Sequence, residues 1–195
     1  DSKVLGSTAE AFEKSHGRKL DRFTDFRELL DRKDIDAITI ATPNHTHSYI
    51  AILAAQAGKD IYVEKPISQR VWEGRQLVSA SDKYKRIIQT GTQSRSHESI
   101  RQAVDYVHSG KLGKIDYVVG TCFKPRMSIG KSDTPLVIPK QIDYKLWCGP
   151  ATKVDIYRPA NNSVKGYNPH YDWHWDYNTG CGDMGNQGIH QMDIA

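Results

Sequence analysis

The chain has 195 residues, of which 38% are apolar and 26% are charged, values that are ordinary for a water-soluble globular protein. Its 27 basic and 23 acidic residues give a net charge of +4, and the basic residues neither form a block nor cluster with aromatics, so a nucleic-acid partner is not expected. No apolar run approaches the roughly 20 residues that cross a bilayer, so no membrane partner is expected either.

The cysteines and the two chain ends give weaker information. Cys122, Cys148 and Cys181 are odd in number and have no C-x-x-C spacing, which argues against a disulfide framework and against a structural zinc site. A cytoplasmic location is the default, although export stays open. The chain opens directly in a helical pattern without an initiator Met and stops inside another at "GIHQMDIA". We therefore expect a fragment, with structure missing on both sides.

Strand and helix patterns alternate through the first half. After the opening helix, "TDFRELLDR" predicts a short amphipathic helix capped by Thr24 or Asp25. "DAITIA" (36–41) is a β-branched apolar run, typical of a strand buried on both faces. The turn "TPNHT" then leads into the helix "HSYIAILAAQAG", which ends at Gly58.

Two more strands follow at the same spacing. "DIYV" predicts a strand, "VWEGRQLVSASDKY" a helix, "RIIQTGT" a third strand, and "ESIRQAVDYVHSG" a helix that ends on Gly110. Repeated strand–helix–strand units predict right-handed crossovers and a parallel sheet. The fold class is therefore α/β, with a first domain over residues 1–113.

The pattern changes after residue 113. "KIDYVVGTCF" alternates like a half-exposed strand, and a long polar segment follows. Within it, the aromatic density of "YNPHYDWHWDYNTGCG" predicts an ordered loop rather than disorder. Residues 114–195 are therefore assigned to a second domain.

The ends of the three predicted strands carry polar residues in "ATPNHTH", "VEKP" and "TGTQSR". Ligands of open parallel sheets bind at the carboxyl ends of the strands. Pro66 disfavours helical geometry at Lys65, which holds Lys65 extended so that its ammonium projects from the sheet edge. One such end alone is more often a solvated turn, but three on neighbouring strands favour a ligand site.

A second group of polar residues lies near the C-terminus. Read as one helix, "DMGNQGIHQMD" places Asp183, Asn186, His190 and Asp193 on one face. Its two internal glycines each cost ~1 kcal/mol relative to alanine, which predicts a close approach by another backbone or a ligand. Among these residues His190 is suited to be a general base, because imidazole titrates near neutral pH.

The segments "TPNHTH", "AGKDIYVEKP", "GTQSR" and "WDYNTGCGDMGNQGIHQMD" resemble, in that order, the glucose–fructose oxidoreductase, inositol dehydrogenase and rhizopine-catabolism (Gfo/Idh/MocA) family. The resemblance implies a Rossmann-type NAD(P)-binding domain followed by an α/β domain with a large open, mainly antiparallel sheet. It implies an NAD(P)-dependent dehydrogenase acting on the CH–OH groups of a sugar, polyol or glycoside, and a homo-oligomer formed through the second-domain sheet. It also places a first strand and a glycine-rich turn ahead of residue 1, so the chain alone is expected to be poorly soluble and to bind NAD weakly.

Site residues carry over from the family motifs position by position. Lys65 would touch both the substrate hydroxyl and the nicotinamide ribose. The other positions expected around the cofactor are Thr42, Pro43, Asn44, His47, Glu64 and Gln93. Asp1 would read the adenosine ribose and favour NAD, unless the family's usual acid lies just before it, so the choice between NAD and NADP stays open.

The catalytic roles follow from alcohol oxidation, in which a proton is removed while hydride leaves for the nicotinamide ring. His190 would be the base, Lys65 would favour the developing alkoxide, and Asp193 could hold the imidazole or the substrate. Asn186 stands where the family usually has an Asp. An amide cannot act as a base, so Asn186 is expected to bind a sugar hydroxyl, and His190 carries more of the chemistry.

The sequence is compatible with three other interpretations. Metal binding by "HYDWHWD" or "HTH" is the minority interpretation, because hydride transfer needs no metal, and no metal is predicted. A non-catalytic nucleotide-binding regulator is a second alternative, in which Trp147, Trp173 and Trp175 would form a protein interface rather than a carbohydrate platform. An NAD-dependent glycoside hydrolase uses the same Lys and His, so the sequence does not separate it from a dehydrogenase.

Overall fold

The computed structural model describes residues 1–159 and 167–195. Its sheet has three parallel strands in the order β1 (Ala37–Ile40), β2 (Asp60–Glu64) and β3 (Ile88–Gly91). Ile38 of β1 pairs with Ile61 of β2, which in turn pairs with Ile88 of β3. The predicted parallel α/β sheet is therefore confirmed.

Helices connect and follow the strands close to the predicted positions. They are α1 (Ser2–His16), α2 (Phe26–Leu30), α3 (Asn44–Gln56), α4 (Val71–Tyr84), α5 (Glu98–His108), α6 (Tyr144–Cys148) and α7 (Ile189–Met192). Asp25 caps α2 by accepting a hydrogen bond from the Arg27 amide at 3.0 Å. Of the two predicted caps, Thr24 and Asp25, the structure therefore uses Asp25. Gly58 follows α3 with a φ of +79°, a left-handed conformation that glycine adopts without steric cost.

Helix α3 starts earlier than the sequence predicts. The predicted turn "TPNHT" is already helical from Asn44 onward. Thr46 explains the early start, since its hydroxyl donates to the Pro43 carbonyl at 2.8 Å and its amide bonds to the same oxygen at 3.0 Å. The first turn therefore forms directly at the end of β1.

The apolar core lies between the sheet and helices α3 and α4. Ile40, Ile61 and Val63 point from the strands into this layer, where they meet Ala54 and Leu77, and all five side chains are buried. Burying a large aliphatic side chain contributes about 1.5–3 kcal/mol. This packing fixes the strand ends relative to the first turn of α3.

The opposite face of the sheet differs from the prediction. Ala37 and Thr39 of β1 are exposed, as are Tyr62 and Gln89 beside them. The expectation that "DAITIA" is buried on both faces is therefore wrong, because none of the described helices covers this side of the strands.

A buried cation fixes the start of β2. Lys59 is only 3% exposed, and its ammonium donates to the carbonyl of Ile35 at 2.8 Å and to the carbonyl of Arg32. Removing such a donor leaves buried carbonyls unpaired, which is costly. Lys59 therefore ties the loop before β1 to the beginning of β2.

The second half contains less regular structure than predicted. All strands of the described residues lie before residue 92, and residues 114–123 form no regular secondary structure. A strand needs a neighbour to pair its backbone groups, and Tyr117, Val119 and Phe123 are largely exposed. The strand over "KIDYVVGTCF" is therefore not formed, and the second-domain open sheet and the boundary near 113 stay predictions.

Two further properties concern the whole described chain. None of its helices has the length and apolar content needed to cross a membrane. Cys122, Cys148 and Cys181 are free thiols, in agreement with the absence of a predicted disulfide framework.

Candidate active site

The three strands end at the same edge of the sheet, and polar residues follow each end. Thr42 and Pro43 follow β1, Lys65 follows β2, and Gln93 follows β3 in a short 3₁₀ turn (Gln93–Ser96). This shared edge is the position at which parallel sheets bind ligands.

Lys65 is the cation at the centre of this edge. Its ammonium donates to the backbone carbonyl of Asn186 at 2.6 Å and to the Asn186 side-chain oxygen at 3.1 Å. Partial burial lowers the pKa of Lys65, and the neighbouring carboxylate of Glu64 opposes that effect. The sheet edge and the C-terminal segment therefore meet at one ammonium group.

The C-terminal segment is not the single α-helix that its sequence predicts. Met184–Gly188 forms a π-helical turn, and α7 follows directly. π-Helical turns are rare in proteins, and those that occur frequently lie at functional sites. The wider turn changes the direction of the side chains, so Asn186 reaches Lys65 while the two aspartates of the predicted polar face bind elsewhere.

Those two aspartates form ion pairs on opposite sides of the turn. Asp183 pairs with Arg126 at 3.2 Å, and Asp193 pairs with Arg95 at 2.8 Å. In this structure the Asp193 carboxylate binds the Arg95 guanidinium, and the expectation that Asp193 holds the imidazole or the substrate stays a prediction. Its negative charge still acts on His190 through space.

His190 lies in the same electrostatic environment as Lys65. Burial lowers the pKa of its imidazole, the Lys65 ammonium lowers it further, and the carboxylates of Glu64 and Asp193 raise it. The net lowering keeps the ring neutral at pH 7, the form that accepts a proton. His190 and Lys65 together therefore offer a base and a cation at one site.

A glycine is required inside the π-helical turn. A Cβ atom at Gly185 would lie 2.2 Å from the Cβ of Cys181 and 3.6 Å from Pro66. A separation of 2.2 Å is far inside van der Waals contact, whereas 3.6 Å is an ordinary contact. A larger residue at 185 would therefore clash with Cys181 of the same segment, and the predicted approach of another backbone or a ligand at this glycine is not seen.

His47 is held by the backbone around the ends of β1 and β2. It is 1% exposed, and its two ring nitrogens contact the carbonyls of Pro66 at 2.7 Å and Thr42 at 2.6 Å. The expectation that His47 lies beside the cofactor stays a prediction.

His45 joins the two halves of the chain. Its ring nitrogens contact the carbonyl of Thr179 at 3.2 Å and the carbonyl of Trp147 at 2.9 Å. Gln69 supports the same junction, because its amide donates to the carbonyls of Tyr177 at 3.0 Å and Gly180 at 3.3 Å. The loop that leads into the π-helical turn is thus held against the sheet edge.

Aromatic side chains of the loop 167–182 pack against one another and against neighbouring residues. Trp173 is buried and stacks on His174 with 3.6 Å between ring centroids, whereas Arg126 lies over the ring of Trp175. Trp147 packs against Tyr144. Within the described ranges, the His, Cys, Asp and Glu side chains form no group of three that could hold a metal ion.

Asp1 acts as a helix cap. One carboxylate oxygen accepts from the amides of Lys3 at 2.9 Å and Val4 at 3.1 Å, and the other contacts His170 at 3.0 Å. Both oxygens are used within the chain. A contact between Asp1 and an adenosine ribose stays a prediction.

The groups around the strand ends fit the polar edge of a nicotinamide nucleotide. Asn44 is 3% exposed, and its side-chain oxygen has no partner among the described residues. The Thr42 hydroxyl lies 2.7 Å from the Thr46 hydroxyl, whose own proton goes to the Pro43 carbonyl. Together with the Lys65 ammonium and the exposed Gln93 amide, this donor and acceptor set matches ribose hydroxyls and a carboxamide.

The first half of the chain matches a known protein family. Residues 4–92 match the family model GFO_IDH_MocA, described as an oxidoreductase family with an NAD-binding Rossmann fold. The matched segment belongs to the Gfo/Idh/MocA oxidoreductase family.

Two curated relatives and one solved structure illustrate the similarity. The chain is 35% identical over 98 residues to levoglucosan dehydrogenase of Pseudarthrobacter phenanthrenivorans, covering 50% of this chain and 25% of the relative. It is 36% identical over 96 residues to scyllo-inositol 2-dehydrogenase (NAD(+)) of Bacillus subtilis, covering 48% and 27%. The crystal structure of myo-inositol 2-dehydrogenase from Lactobacillus plantarum superimposes with a TM-score of 0.52 at 27% identity, covering 57% of this chain and 33% of that one. The match therefore spans only about a quarter to a third of each relative.

Sequence reasoning missed several residues that arrange this candidate site. Arg95 and Arg126 bind the two aspartates, and Gln69 holds the loop before the π-helical turn. Arg126 precedes its partner by 57 residues and Arg95 by 98. No local pattern connects positions so far apart, whereas the polar ends of the strands were visible in the sequence.

The buried histidines predict how stability depends on pH. Burial lowers the pKa of both His45 and His47 below the ordinary value of 6.5, so below pH 6.5 the unfolded chain binds more protons than the folded one. The stabilising effect of keeping these rings neutral is complete above pH 6.5 and is lost as the pH falls toward the folded pKa values. When the pH is lowered from 7.5 to 5.5, the free energy of unfolding, measured with urea, is expected to fall. Each of the two histidines contributes at most about 1.4 kcal/mol for each pH unit.

His45→Gln isolates one of these groups. The variant removes a titrating ring and keeps a donor toward the Trp147 carbonyl, so its stability should depend less steeply on pH than that of the wild type. The exposed His108→Gln is the matched control and should keep the wild-type slope. Equal slopes in the wild type and His45→Gln would contradict the assignment.

Proposed function

We propose that the protein transfers a hydride between a nicotinamide cofactor, NAD or NADP, and a CH–OH carbon of a sugar, polyol or glycoside. The observation that carries this proposal is the Lys65 ammonium at the carboxyl end of β2, which donates to Asn186 in the segment that also carries His190. The relatives named levoglucosan dehydrogenase and scyllo-inositol 2-dehydrogenase support the substrate class.

Each side chain has a defined task in this reaction. The chemistry supplied by a bound nicotinamide is hydride acceptance from the carbinol carbon. Lys65 places a positive charge where the hydroxyl oxygen becomes negative, and a preorganised charge of this kind stabilises the transition state strongly. His190, neutral at pH 7, accepts the hydroxyl proton.

Asn186 fits this scheme as a neutral partner of the cation. Both of its oxygens accept from the Lys65 ammonium, and neither carries a formal charge. A carboxylate at the same place would cancel much of the charge that Lys65 offers to an alkoxide. Asn186 therefore orients Lys65 and leaves its positive charge to the substrate, rather than binding a sugar hydroxyl through its side-chain oxygen.

The positions proposed to line the cofactor are Thr42, Pro43, Asn44, Glu64, Lys65 and Gln93. The family model is described as NAD-binding, and the polar groups at the strand ends support this placement. A homo-oligomer formed through a second-domain sheet and a cytoplasmic location stay part of the proposal.

The proposal is tested by incubating the purified protein with NAD⁺ or NADP⁺ and a panel of sugars, polyols and glycosides. We expect reduced nicotinamide, followed by its absorbance, with at least one sugar or polyol, and a slower rate when the reacting carbon carries deuterium. Release of an aglycone from a glycoside without net cofactor reduction would favour the hydrolase alternative instead. Cofactor binding without turnover of any compound would favour the regulator.

A further inference from the structure

We propose that His47 is a positioning residue that fixes Lys65 by clamping the ends of β1 and β2 together. This inference rests on the proposed function for its kinetic consequences, but the clamp itself is a property of the fold. His47 lies in the first turn of α3, and among the described residues its ring contacts the Pro66 and Thr42 carbonyls rather than Lys65 or the C-terminal segment. Its influence on Lys65 passes through the backbone.

The two contacts of the imidazole define the clamp. Nδ1 lies 2.7 Å from the carbonyl oxygen of Pro66, the residue directly after Lys65, and Nε2 lies 2.6 Å from the carbonyl oxygen of Thr42. The ring is 1% exposed, so water does not replace either contact. One side chain thus connects the backbone beyond β1 with the backbone beyond β2.

Neighbouring groups hold the imidazole in place. Ser48, the next residue of α3, donates to the carbonyl of Ile67 at 2.9 Å. Helix α3 therefore contacts two consecutive carbonyls after Lys65, those of Pro66 and Ile67. Helix α3 is in turn packed on the sheet through Ala51 and Ala54, which are fully buried. The clamp is therefore anchored in the core, and the strand end that carries Lys65 has little freedom to move.

The chemistry of imidazole explains why histidine suits this position. Its two nitrogens point in divergent directions from one rigid ring, so a single side chain reaches carbonyls on two different segments. The neutral imidazole has one N–H, so in either tautomer it donates to one of the two carbonyls and lies in contact with the other.

Two amide substitutions separate the two contacts. The Asn amide nitrogen takes the place of Nδ1 and keeps a donor toward Pro66, whereas the Gln amide nitrogen takes the place of Nε2 and keeps a donor toward Thr42. If the clamp acts on Lys65 through Pro66, then His47→Asn should preserve the arrangement of Lys65 better than His47→Gln or His47→Ala. The exposed His108→Asn is the matched control.

The first measurement needs no activity. Competitive labelling of lysine amines with acetic anhydride, read by peptide mass spectrometry, reports how accessible and how basic Lys65 is. We expect the labelling of Lys65 to rise about 3- to 10-fold in His47→Gln and His47→Ala, the factor that corresponds to one hydrogen bond, and to rise less in His47→Asn. Labelling of the exposed Lys33 should be equal in all variants and in the control.

The second measurement is kinetic. In His47→Gln and His47→Ala we expect kcat for substrate oxidation to fall about 10- to 100-fold, because small displacements of a catalytic group have large effects, while KM for the cofactor changes less than about threefold. His47→Asn should recover most of kcat. A residue that binds the cofactor directly would instead raise KM.

The outcomes separate this inference from the proposed function. Unchanged Lys65 labelling in His47→Gln, or equal labelling in His47→Gln and His47→Asn, would overturn the clamp. The comparison of His47→Gln with His47→Asn tests the clamp even if His47→Ala does not fold. Changed labelling in a protein without dehydrogenase activity would keep the clamp and reject the proposed function.

Discussion

Replacing Lys65 with methionine is expected to lower kcat by about 10²–10³-fold or below detection, the range for losing a group that stabilises developing charge. Methionine keeps the length of the side chain and removes the ammonium that contacts both oxygens of Asn186. Affinity for the cofactor should stay within a few-fold of the wild type, because the other strand ends are untouched. Steady-state kinetics and a cofactor titration check the two halves of this prediction.

The control for this variant is Lys33→Met, which removes an exposed ammonium far from the strand ends. It should keep wild-type kcat. Lys65→Met with near wild-type turnover would rule out the assigned role, and a large loss of cofactor affinity without a loss of kcat would make Lys65 a binding residue only.

Replacing His190 with alanine is expected to lower the rate of alcohol oxidation by about 10²–10⁴-fold, the range for removing a general base. The base must be neutral, so the wild-type rate should rise as the pH rises through the His190 pKa. Burial and the nearby Lys65 ammonium place that pKa below the ordinary value of 6.5. The rising part of the pH–rate profile should be missing in the variant.

The matched control is His108→Ala, at the exposed end of α5. It should keep both the rate and the pH–rate profile of the wild type. A His190→Ala profile identical in shape to the wild-type profile would identify a different group as the base, even if the rate were lower.

The regular elements of the first half were predictable because each has a local signal. The β-branched run of β1, the apolar period of α4 and the glycine after α3 act over a few residues, and the structure has β1, α4 and Gly58 close to the predicted places. The segment 114–123 was predicted as a strand from the same kind of pattern and has no partner. Alternation shows that a segment suits a sheet, whereas pairing requires a second strand beside it.

The sequence by itself determined that polar residues end three neighbouring strands, with Lys65 directly after the second of them. It also showed that His190 belongs to a polar, glycine-containing segment. Only the tertiary structure decided the partners: His47 clamps backbone carbonyls, Asp193 binds Arg95, and Asn186 receives the Lys65 ammonium 121 residues away. The physical reason is that backbone preferences act between near neighbours, whereas the partner of a hydrogen-bonding side chain is set by which groups the packed core brings within about 3 Å.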